Sequence, residues 1–477
     1  MPLILGGGDP TSQYLISNSM RFDRGATTCL RKTFSGSPTN AKKFTMSCWI
    51  KLANPEDTNA KAIFSGIKSG VNEDVIKFGS INNDHLNYLE LNFNNTNDGA
   101  LMGGDGSVLE PLFRDPTAWF HLVVAGDSTQ GTADNRLKAY VNGVQFALES
   151  SISGGNIQAD TDISSNYDFG FLTASAHSIG ENVESAGNEP FDGYISEFYF
   201  IDGQQLTPTS FAEENDDGVW IPKDAKDDLT FGNYGFFLEF KGTGTSADSS
   251  GKGADTSGND NHFDDNGAGT DHIVTDTPTN NFCVLNPIAY RGSIKPNTQF
   301  TQGNLGIQTT STFGADSDSY GTFGVKRGKW YYECQYTGGN VNIGVGWSSA
   351  DFSDRVAYYG GNGYKYHEGG SAAYGATFSS GDIIGVAMNL DDREITFYKN
   401  GADQGTIDDL IASNDQFYLP AIWDGSGSLQ ATYNANFGNP LITHSSSQSD
   451  EAGFGDFEYA PPSGYFALCS QNIATKG

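Results

Sequence analysis

The chain has 477 residues, enough for two or three domains, and 58 Asp and Glu against 27 Lys and Arg give it a net charge of −31. That excess repels a phosphate backbone, so we expect no nucleic-acid partner. Aromatic residues make up 13% of the chain and glycines number 60. With many Asn, Asp, Ser and Thr residues, this composition favours short strands joined by turns, and it predicts an all-β protein.

The cysteine pattern and the length of the apolar runs argue against a disulfide-rich, a zinc-binding and a membrane-spanning protein. The five cysteines have no regular spacing and form no C-x-x-C pair, so we expect neither a disulfide framework nor a structural zinc site. No apolar run approaches 18 residues, which predicts no membrane span. The first residues lack the basic stretch of a signal peptide, so we expect folding in a reducing cytoplasm. No cofactor and no metal ion are expected.

The first predicted domain covers residues 1–215. Its strands alternate apolar and polar residues, and turn residues recur about every ten positions, a spacing typical of a β-sandwich. One strand ends in "YVNG", and Asn-Gly after alternating apolar residues is a strong hairpin signal. Strands are predicted at 44–53, 62–66, 87–93, 119–127, 136–143 and within 189–206.

Residues 216–300 are predicted to form a connector rich in Gly, Asp and Ser, with one strand at about 234–240. The oxygen-rich stretch "TGTSADSSGKGADTSGNDNHFDDNGAGTD" raises the question of a calcium site. It does not match the spacing of a calcium-binding loop, and polar turn chemistry explains the same residues. We therefore predict no metal site there.

The second predicted domain covers residues 301–477 and carries a second Asn-Gly hairpin in "YKNG". The sequences around "YVNG" and "YKNG" differ, so we interpret the echo as shared architecture or convergent turn chemistry, not as a recent duplication. Strands are predicted at 329–338, 340–347, 382–392, 394–401, 417–424, 431–438 and 464–469.

Two ordered series of motifs resemble known families. In the first domain, "WFHLVVAGD", "LKAYVNG" and "FDGYISEFYFIDGQQLTPTSF" resemble laminin-G-like and pentraxin-like modules of the concanavalin-A-like class. In the second, "GKWYYEC", "NIGVGW", "SGDIIGVAMNLDDREITFYKNG", "YLPAIW" and "NANFG" resemble the SPRY domain. The resemblances imply two concanavalin-A-like jelly-roll β-sandwiches in tandem, joined by the connector. SPRY domains generally bind protein partners through loops at one end of the sandwich.

The phrase from Gly193 to Phe211 also resembles repeated modules in virion proteins of tailed bacteriophages. In those proteins a stretch like "GVWIPK" and then "NYGFFLEF" follows, as it does at 218–223 and 233–240. The resemblance implies a virion surface protein, either a tail fibre or a head-decoration component.

Catalytic motifs are missing from the sequence. Glycoside hydrolysis needs two carboxyl groups that face each other, but no E-x-D-x-x-E string occurs, and the pattern places Glu197 and Asp202 on opposite faces of a strand. No G-x-S-x-G motif is present. We therefore predict no catalytic residue and no enzymatic activity, with a glycan-processing enzyme as the weaker alternative.

Candidate ligand-binding residues come from two aromatic stretches of the second domain, "RVAYYGGNGYKYHEGG" and "YLPAIWDGSGS". A sugar ring can stack on an exposed Tyr or Trp, although aromatic residues also fill sandwich cores. Trp119, Trp330 and Trp347 are interpreted as core residues, and His121 is interpreted as a satisfied strand histidine and not as a ligand. The candidates are Tyr358, Tyr359, Tyr364, Tyr366, His367 and Trp423.

The sequence thus predicts a non-enzymatic phage surface protein that adheres to a host-surface glycan or protein and resides in the virion. Its expected partners are other virion proteins and further copies of itself, with a trimer as one arrangement. Residues 1–13 are interpreted as a candidate anchor. The alternative is an intracellular adaptor that binds a protein through its SPRY domain.

Overall fold

The chain folds into two compact units, of which one ends at Thr279 and the other begins at Asn280. Strands account for 48% of the chain and helices for 6%, which confirms the all-β prediction. In the part of the chain that is described, no helix is long and apolar enough to cross a membrane. The computed structural model describes residues 14–55, 57–70, 72–82, 85–93, 100–102, 113–146, 148–149, 163–184, 187–267, 272–289, 298–309, 317–339, 343–350, 352, 354–367, 370–408, 416–424, 431–441 and 444–477.

The first unit is built from short antiparallel strands and single turns of 3-10 helix. The turns are Arg24–Ala26, Ala133–Asn135, Gly170–Leu172, Pro208–Ser210 and Lys226–Asp228. The strands are β1 Ser19–Phe22, β2 Cys29–Thr33, β3 Lys43–Leu52, β4 Lys61–Ser69, β5 Asn72–Asn82, β6 His85–Asn92, β7 Ala100–Met102, β8 Phe120–Asp127, β9 Leu137–Val141, β10 Val144–Phe146, β11 Leu148–Glu149, β12 Ala176–Ile179, β13 Gly193–Asp202, β14 Ala212–Glu214, β15 Trp220–Pro222, β16 Phe236–Leu238, β17 Asp264–Asn266 and β18 Ile273–Val274.

Two sheets enclose the core of the first unit. One has the order β10-β9-β8-β3-β13-β1-β18, with β16 also paired to β13, and the other has the order β11-β7-β6-β5-β4-β12-β2-β17. Because side chains alternate across a strand, Phe198 and Phe200 of β13 face the core, where they meet Phe64 of β4. Tyr199, between them, faces outward and stacks on Phe237 at 3.9 Å.

The stretch predicted as a connector, residues 216–300, is divided between the two units, so the structure departs from the predicted domain boundaries at 215 and 300. Residues up to Thr279 add strands to both sheets of the first sandwich, including β16 within the predicted strand at about 234–240. The many Asp residues satisfy backbone amides of tight turns; the Asp255 carboxylate, for example, accepts hydrogen bonds from Phe237 and Asn261. A segment whose composition resembles that of a linker is therefore folded in this protein.

The second unit is also a sandwich, and it ends in one short helix, α1 Ser470–Lys476. Its strands are β19 Leu285–Asn286, β20 Thr298–Thr301, β21 Gly306–Thr309, β22 Ser317–Gly321, β23 Lys329–Gly339, β24 Ile343–Ser349, β25 Arg355–Tyr359, β26 Tyr364–His367, β27 Gly370–Ala373, β28 Ile383–Asn389, β29 Glu394–Lys399, β30 Ala402–Asp408, β31 Tyr418–Asp424, β32 Ala431–Asn436, β33 Gln448–Ser449, β34 Asp456–Phe457 and β35 Phe466–Ala467.

One sheet of the second unit has the order β20-β21-β32-β23-β28-β29-β30, with β35 paired to β23. The other has the order β19-β22-β31-β24-β25-β26-β27. The core between them includes Trp330 and Trp347, both fully buried, which confirms that interpretation. Trp119 of the first unit is only partly buried, and its indole nitrogen donates to the Asp276 carboxylate at 2.9 Å.

The two Asn-Gly hairpins occupy the same position in the two units. The strands β10-β9-β8-β3-β13-β1 correspond in both spatial and chain order to β30-β29-β28-β23-β32-β21. Asn142 and Asn400 have φ values of 47° and 49°, and the glycines that follow have 80° and 78°, as a type I′ turn requires. The two sheets therefore share one topology, and we name each the hairpin sheet of its unit.

Candidate functional site

The predicted ligand-binding residues lie on β25, β26 and β31 of the second unit. These strands belong to the sheet that packs against the hairpin sheet of that unit. Alternation along β25 divides its adjacent tyrosines. The Tyr358 side chain faces the core, whereas Tyr359 and Ala357 face outward and pack in a separate outer cluster. Two adjacent residues of a strand cannot both be presented to the same ligand.

Tyr358 and Trp423 are buried, so the structure contradicts their assignment as ligand-binding residues. Tyr358 is fully buried and lies edge-on to Phe378, with 5.3 Å between ring centroids. Its hydroxyl donates a hydrogen bond to the Ala376 carbonyl. Trp423 is 1% exposed; it packs in the outer cluster with Tyr320 and Ala357, and the Arg355 guanidinium lies over its ring at 5.9 Å. Both residues stabilise the sandwich, which is the alternative that aromatic composition left open.

Tyr359, Tyr364 and Tyr366 form an outward-facing group that we name the tyrosine platform. Tyr366 pairs with Ala357 across β25 and β26, which places its side chain on the same outer face as that of Tyr359. The Tyr359 and Tyr366 rings are 4.3 Å apart between centroids, at 47°. Tyr364 and Tyr366 are 38% and 39% exposed, among the most exposed large apolar side chains described. His367 alternates to the opposite face and is half-buried.

The backbone under the tyrosine platform holds the rings in place. A Cβ atom on Gly344 of β24 would lie 2.5 Å from the Tyr359 ring, so the ring rests directly on that backbone. The turn before β26 is fixed by the Asn362 side chain, which accepts a hydrogen bond from the Tyr364 amide at 3.0 Å. Exposed rings on a rigid sheet can stack on a sugar or on another planar apolar surface with little loss of side-chain entropy.

A second candidate site lies in the first unit, where β1 and β16 share one edge of β13. Residues 193–195 of β13 pair with β1 and residues 198–200 pair with β16. Glu197 falls between them in a β-bulge against β3, with a φ of 52°. The bulge directs its carboxyl group to a cavity of about 290 Å³.

The Glu197 carboxyl group is held by two phenols. Its oxygens accept hydrogen bonds from the Tyr14 hydroxyl at 3.1 Å and the Tyr199 hydroxyl at 2.8 Å, and the residue is only 5% exposed. Burial raises the pKa of Glu197 from 4.5 to about 7, against the opposing effect of the two hydroxyl donors. The pKa values of both phenols are raised, by burial first and then by the adjacent carboxylate.

The sequence analysis missed the environment of Glu197 because it assumed an unbroken strand. The pattern did carry a signal: Ile195 and Phe198 both face the core but are three positions apart, whereas a regular strand repeats every two. The three-residue spacing indicates a β-bulge between Ile195 and Phe198, and it indicates that the Glu197 side chain points in a different direction from the one that regular alternation predicts.

His121 is a strand histidine with both ring nitrogens hydrogen-bonded, as predicted. Its Nδ1 accepts a hydrogen bond from the indole nitrogen of Trp220 at 3.1 Å, so Nε2 carries the hydrogen and donates to the Ser47 hydroxyl at 2.8 Å. The imidazole stacks on Trp49 at 4.9 Å. Burial lowers its pKa to about 3, which keeps it neutral.

Comparison with known families identifies both sandwiches. Residues 31–210 match the family described as the concanavalin A-like lectin/glucanases superfamily, and residues 329–429 match the SPRY domain. The RNA helicase Ddx1 of Drosophila melanogaster is 30% identical over 158 residues, which are 31% of this chain and 19% of the helicase. The Xenopus laevis protein DDX1 is 28% identical over 31% of this chain and 18% of its own. The alignments cover the SPRY-like part, and this chain spans about a fifth of these relatives.

Two solved structures of similar fold were also found. The SPRY domain of human HERC1 is 19% identical over 29% of this chain and 91% of that domain, with a TM-score of 0.25. The heptameric SAP-like pentraxin of Limulus polyphemus is 18% identical over 40% of this chain and 78% of the pentraxin, with a TM-score of 0.26. The SPRY and laminin-G-like domains that the family matches identify indicate a protein-interaction or adhesion module. The chain carries a concanavalin-A-like module of the laminin-G type followed by a SPRY domain.

Proposed function

We propose that the chain is a non-enzymatic surface protein of a tailed-bacteriophage particle, a tail fibre or head-decoration component that adheres to a glycan on the host surface. The tyrosine platform supports the adhesive role. Its two most exposed rings, Tyr364 and Tyr366, offer stacking surface on a strand that is paired with β27. The phrases at 193–211, 218–223 and 233–240 support the virion assignment.

Display in many copies strengthens weak adhesion. When several platforms engage one surface, later contacts are intramolecular, so a millimolar affinity per site gives firm attachment. A symmetric homo-oligomer, such as a trimer, seated on other virion proteins would supply that arrangement. Residues 1–13, proposed as the anchor, lie outside the described residues.

A glycan array of the soluble chain tests adhesion. We expect signal from a subset of sugars, reduced about tenfold or more by Tyr364→Ala and by Tyr366→Ala, because each removes a stacking surface. Phe454→Ala is the matched control, since Phe454 is also 39% exposed but lies outside the platform. An array without signal, or signal that survives both tyrosine variants, would contradict glycan adhesion through this platform.

Immunogold microscopy of purified particles tests the virion assignment separately. Gold at the tail or on the head supports it, whereas unlabelled particles would favour the second candidate, an intracellular adaptor. The match of residues 329–429 to the SPRY domain supports that candidate, since such domains commonly bind proteins. An adaptor would use the same exposed tyrosines for a peptide.

A further inference from the structure

The cavity beside Glu197 has the features of a binding site in a place that the proposed adhesive function does not use. Its volume of about 290 Å³ is at the lower end for small-molecule sites. It lies at the outer side of the hairpin sheet of the first unit, where Tyr199 and Phe237 stack outside the core. Its inner wall is the Glu197 carboxyl group, the most buried acid that lines it.

The buried carboxyl group has hydrogen bonds but no counter-ion. Both of its hydrogen bonds come from neutral phenols, Tyr14 and Tyr199. In the described part of the chain, no Lys or Arg lies within ion-pair distance of Glu197; the nearby Lys241 ammonium instead contacts Glu239 at 2.5 Å. An ionised carboxylate in this position therefore keeps an unpaired charge, which is unfavourable away from water.

The remaining walls add negative charge. The cavity is lined by four carboxyl groups, those of Glu197, Asp224, Asp227 and Glu239, and by two ammonium groups, those of Lys226 and Lys241. Four negative and two positive groups leave a surplus of two negative charges when all are ionised. This surplus repels an anionic ligand and attracts a cation.

We propose that the cavity binds a small ligand with a primary ammonium group, which forms an ion pair with the ionised Glu197 carboxylate. An ammonium group offers three hydrogen-bond donors, enough for Glu197 and a further wall carboxylate. A metal ion is the poorer fit, because the described residues contain no group of three or more acids, histidines or cysteines arranged to hold one. A neutral ligand would leave the charge of Glu197 uncompensated.

Binding should strengthen with pH, because the ligand needs the ionised carboxylate. With a pKa of about 7, roughly a tenth of Glu197 is ionised at pH 6 and most of it at pH 8. The groups that face it are the phenols of Tyr14 and Tyr199, the acids Asp224, Asp227 and Glu239, and the amines Lys226 and Lys241. Glu197 is the group among them whose pKa is raised by burial to about 7, so we attribute the change between pH 6 and pH 8 to its carboxyl group.

Titration of the full chain, followed by ligand-observed NMR, tests the proposal with matched probes. We expect 4-amino-1-butanol to bind at pH 8 at least about tenfold more tightly than 1,4-butanediol, which has the same length but no charge. The preference should fall roughly tenfold at pH 6. Nα-acetyl-lysine amide carries the same ammonium group, so binding of that probe alone would identify a protein side chain as the source. Binding of the amino alcohol alone would identify a free amine.

Glu197→Gln keeps the shape of the site and removes the charge. We expect this variant to lose the preference for the amine and its pH dependence, while Glu213→Gln, an exposed acid of the same unit outside the cavity, retains both. The pH series on the unaltered chain tests the idea even if the variant folds poorly. Equal binding of amine and diol at pH 8, a preference that is unchanged at pH 6, or a preference that survives Glu197→Gln would each overturn it.

Discussion

The two hairpin sheets share their topology but differ in how they satisfy a buried glutamate. In the second unit, Glu333 of β23 accepts hydrogen bonds from the backbone amides of Glu458 and Tyr459, both at 2.9 Å, and from the Tyr331 hydroxyl. The space beside it is about 10 Å³, enough for one water molecule. In the first unit, Glu197 has only two phenols and a cavity of about 290 Å³.

The difference in hydrogen-bond donors and in free space distinguishes a structural buried acid, Glu333, from a candidate functional one, Glu197. The chain closes over Glu333 with its own backbone amides and leaves beside it space for one water molecule but not for a larger ligand. Around Glu197 the corresponding donors are missing from the described residues, and the fold keeps a polar space open instead. A buried acid that receives all of its hydrogen bonds from the folded chain contributes to stability. A buried acid that receives fewer hydrogen bonds and borders a cavity is a candidate for function.

The largest expected effect concerns the segment that covers the first hairpin sheet. The Lys51 ammonium and the Asp276 carboxylate form an ion pair at 2.8 Å, with side chains 1% and 0% exposed. Asp276→Ala should lower the free energy of unfolding of the first unit by about 3 to 5 kcal/mol, because it removes the carboxylate that forms the ion pair with a buried ammonium. Hydrogen exchange read by peptide should show faster exchange in the first unit only.

Asp228→Ala is the control for that experiment, since Asp228 is an exposed acid of the same unit. Unchanged protection in the Asp276 variant would show that the buried pair does not hold the covering segment.

The two glutamates should respond oppositely to the same substitution at pH 8. Burial raises the pKa of Glu333 as well. Glu333→Gln nevertheless places an amide donor against two backbone amides, and this loss should outweigh the removal of the buried charge and destabilise the chain by about 2 to 3 kcal/mol. Glu197→Gln should stabilise it by on the order of 2 kcal/mol. The raised pKa of Glu197 means that the folded state holds its proton more tightly than the unfolded state, whose value is near 4.5. That stability is present below pH 4.5 and is lost as pH rises through about 7.

Denaturant unfolding at pH 4 and pH 8 measures both effects. At pH 4 the Glu197→Gln variant should match the unaltered chain, because the native carboxyl group is then protonated. A Glu197→Gln variant that is less stable than the unaltered chain at pH 8 would refute the contrast between the two acids.

The hairpins should respond alike. A Cβ atom on Gly143 would lie 2.8 Å from the Trp220 ring, and one on Gly401 would lie 2.7 Å from the Tyr459 ring. Gly143→Ala and Gly401→Ala should therefore each cost about 1 to 2 kcal/mol, from the positive φ and from overpacking. Gly131→Ala, with open space around it, should be nearly neutral. Thermal unfolding compares them, and a neutral result at one hairpin alone would break the correspondence.

The smallest expected effect is on the tyrosine platform. Tyr364→Ala should change the free energy of unfolding by less than about 0.5 kcal/mol, because Tyr364 is 38% exposed. Denaturant unfolding checks this. A loss of 2 kcal/mol or more would mean that the ring is part of the fold, and the adhesion test would then need another variant.

Periodicity predicted the long strands well and the special positions poorly. Strands such as β3 and β23 lie within a residue of their predicted bounds, because half-buried strands alternate clearly. The four-residue β12 was missed because a few residues carry little periodic signal. The eleven-residue β5 was also missed and is the exception among the long strands. The predicted connector was folded, because Asp and Gly serve tight turns as readily as linkers.

The site residues were harder to predict for a physical reason. Composition identified the aromatic stretch, but only strand register shows that Tyr358 faces the core while Tyr366 faces outward. Glu197 needed the bulge, which depends on how three strands share β13. The local pattern marks the bulge by the spacing of Ile195 and Phe198, but the pairing of the strands around it joins residues that are far apart in sequence.

The order of the tyrosine-bearing sheet ends at β27, whose residues Gly370–Ala373 are all exposed and all uncharged. Among the described residues no strand pairs with its outer edge, and β27 itself carries no lysine, proline or charged side chain of the kind that usually discourages strand addition. When many copies are close together, the exposed edge of β27 can pair with the same edge of another copy. Ser371→Lys would block such joining and keep concentrated preparations monodisperse.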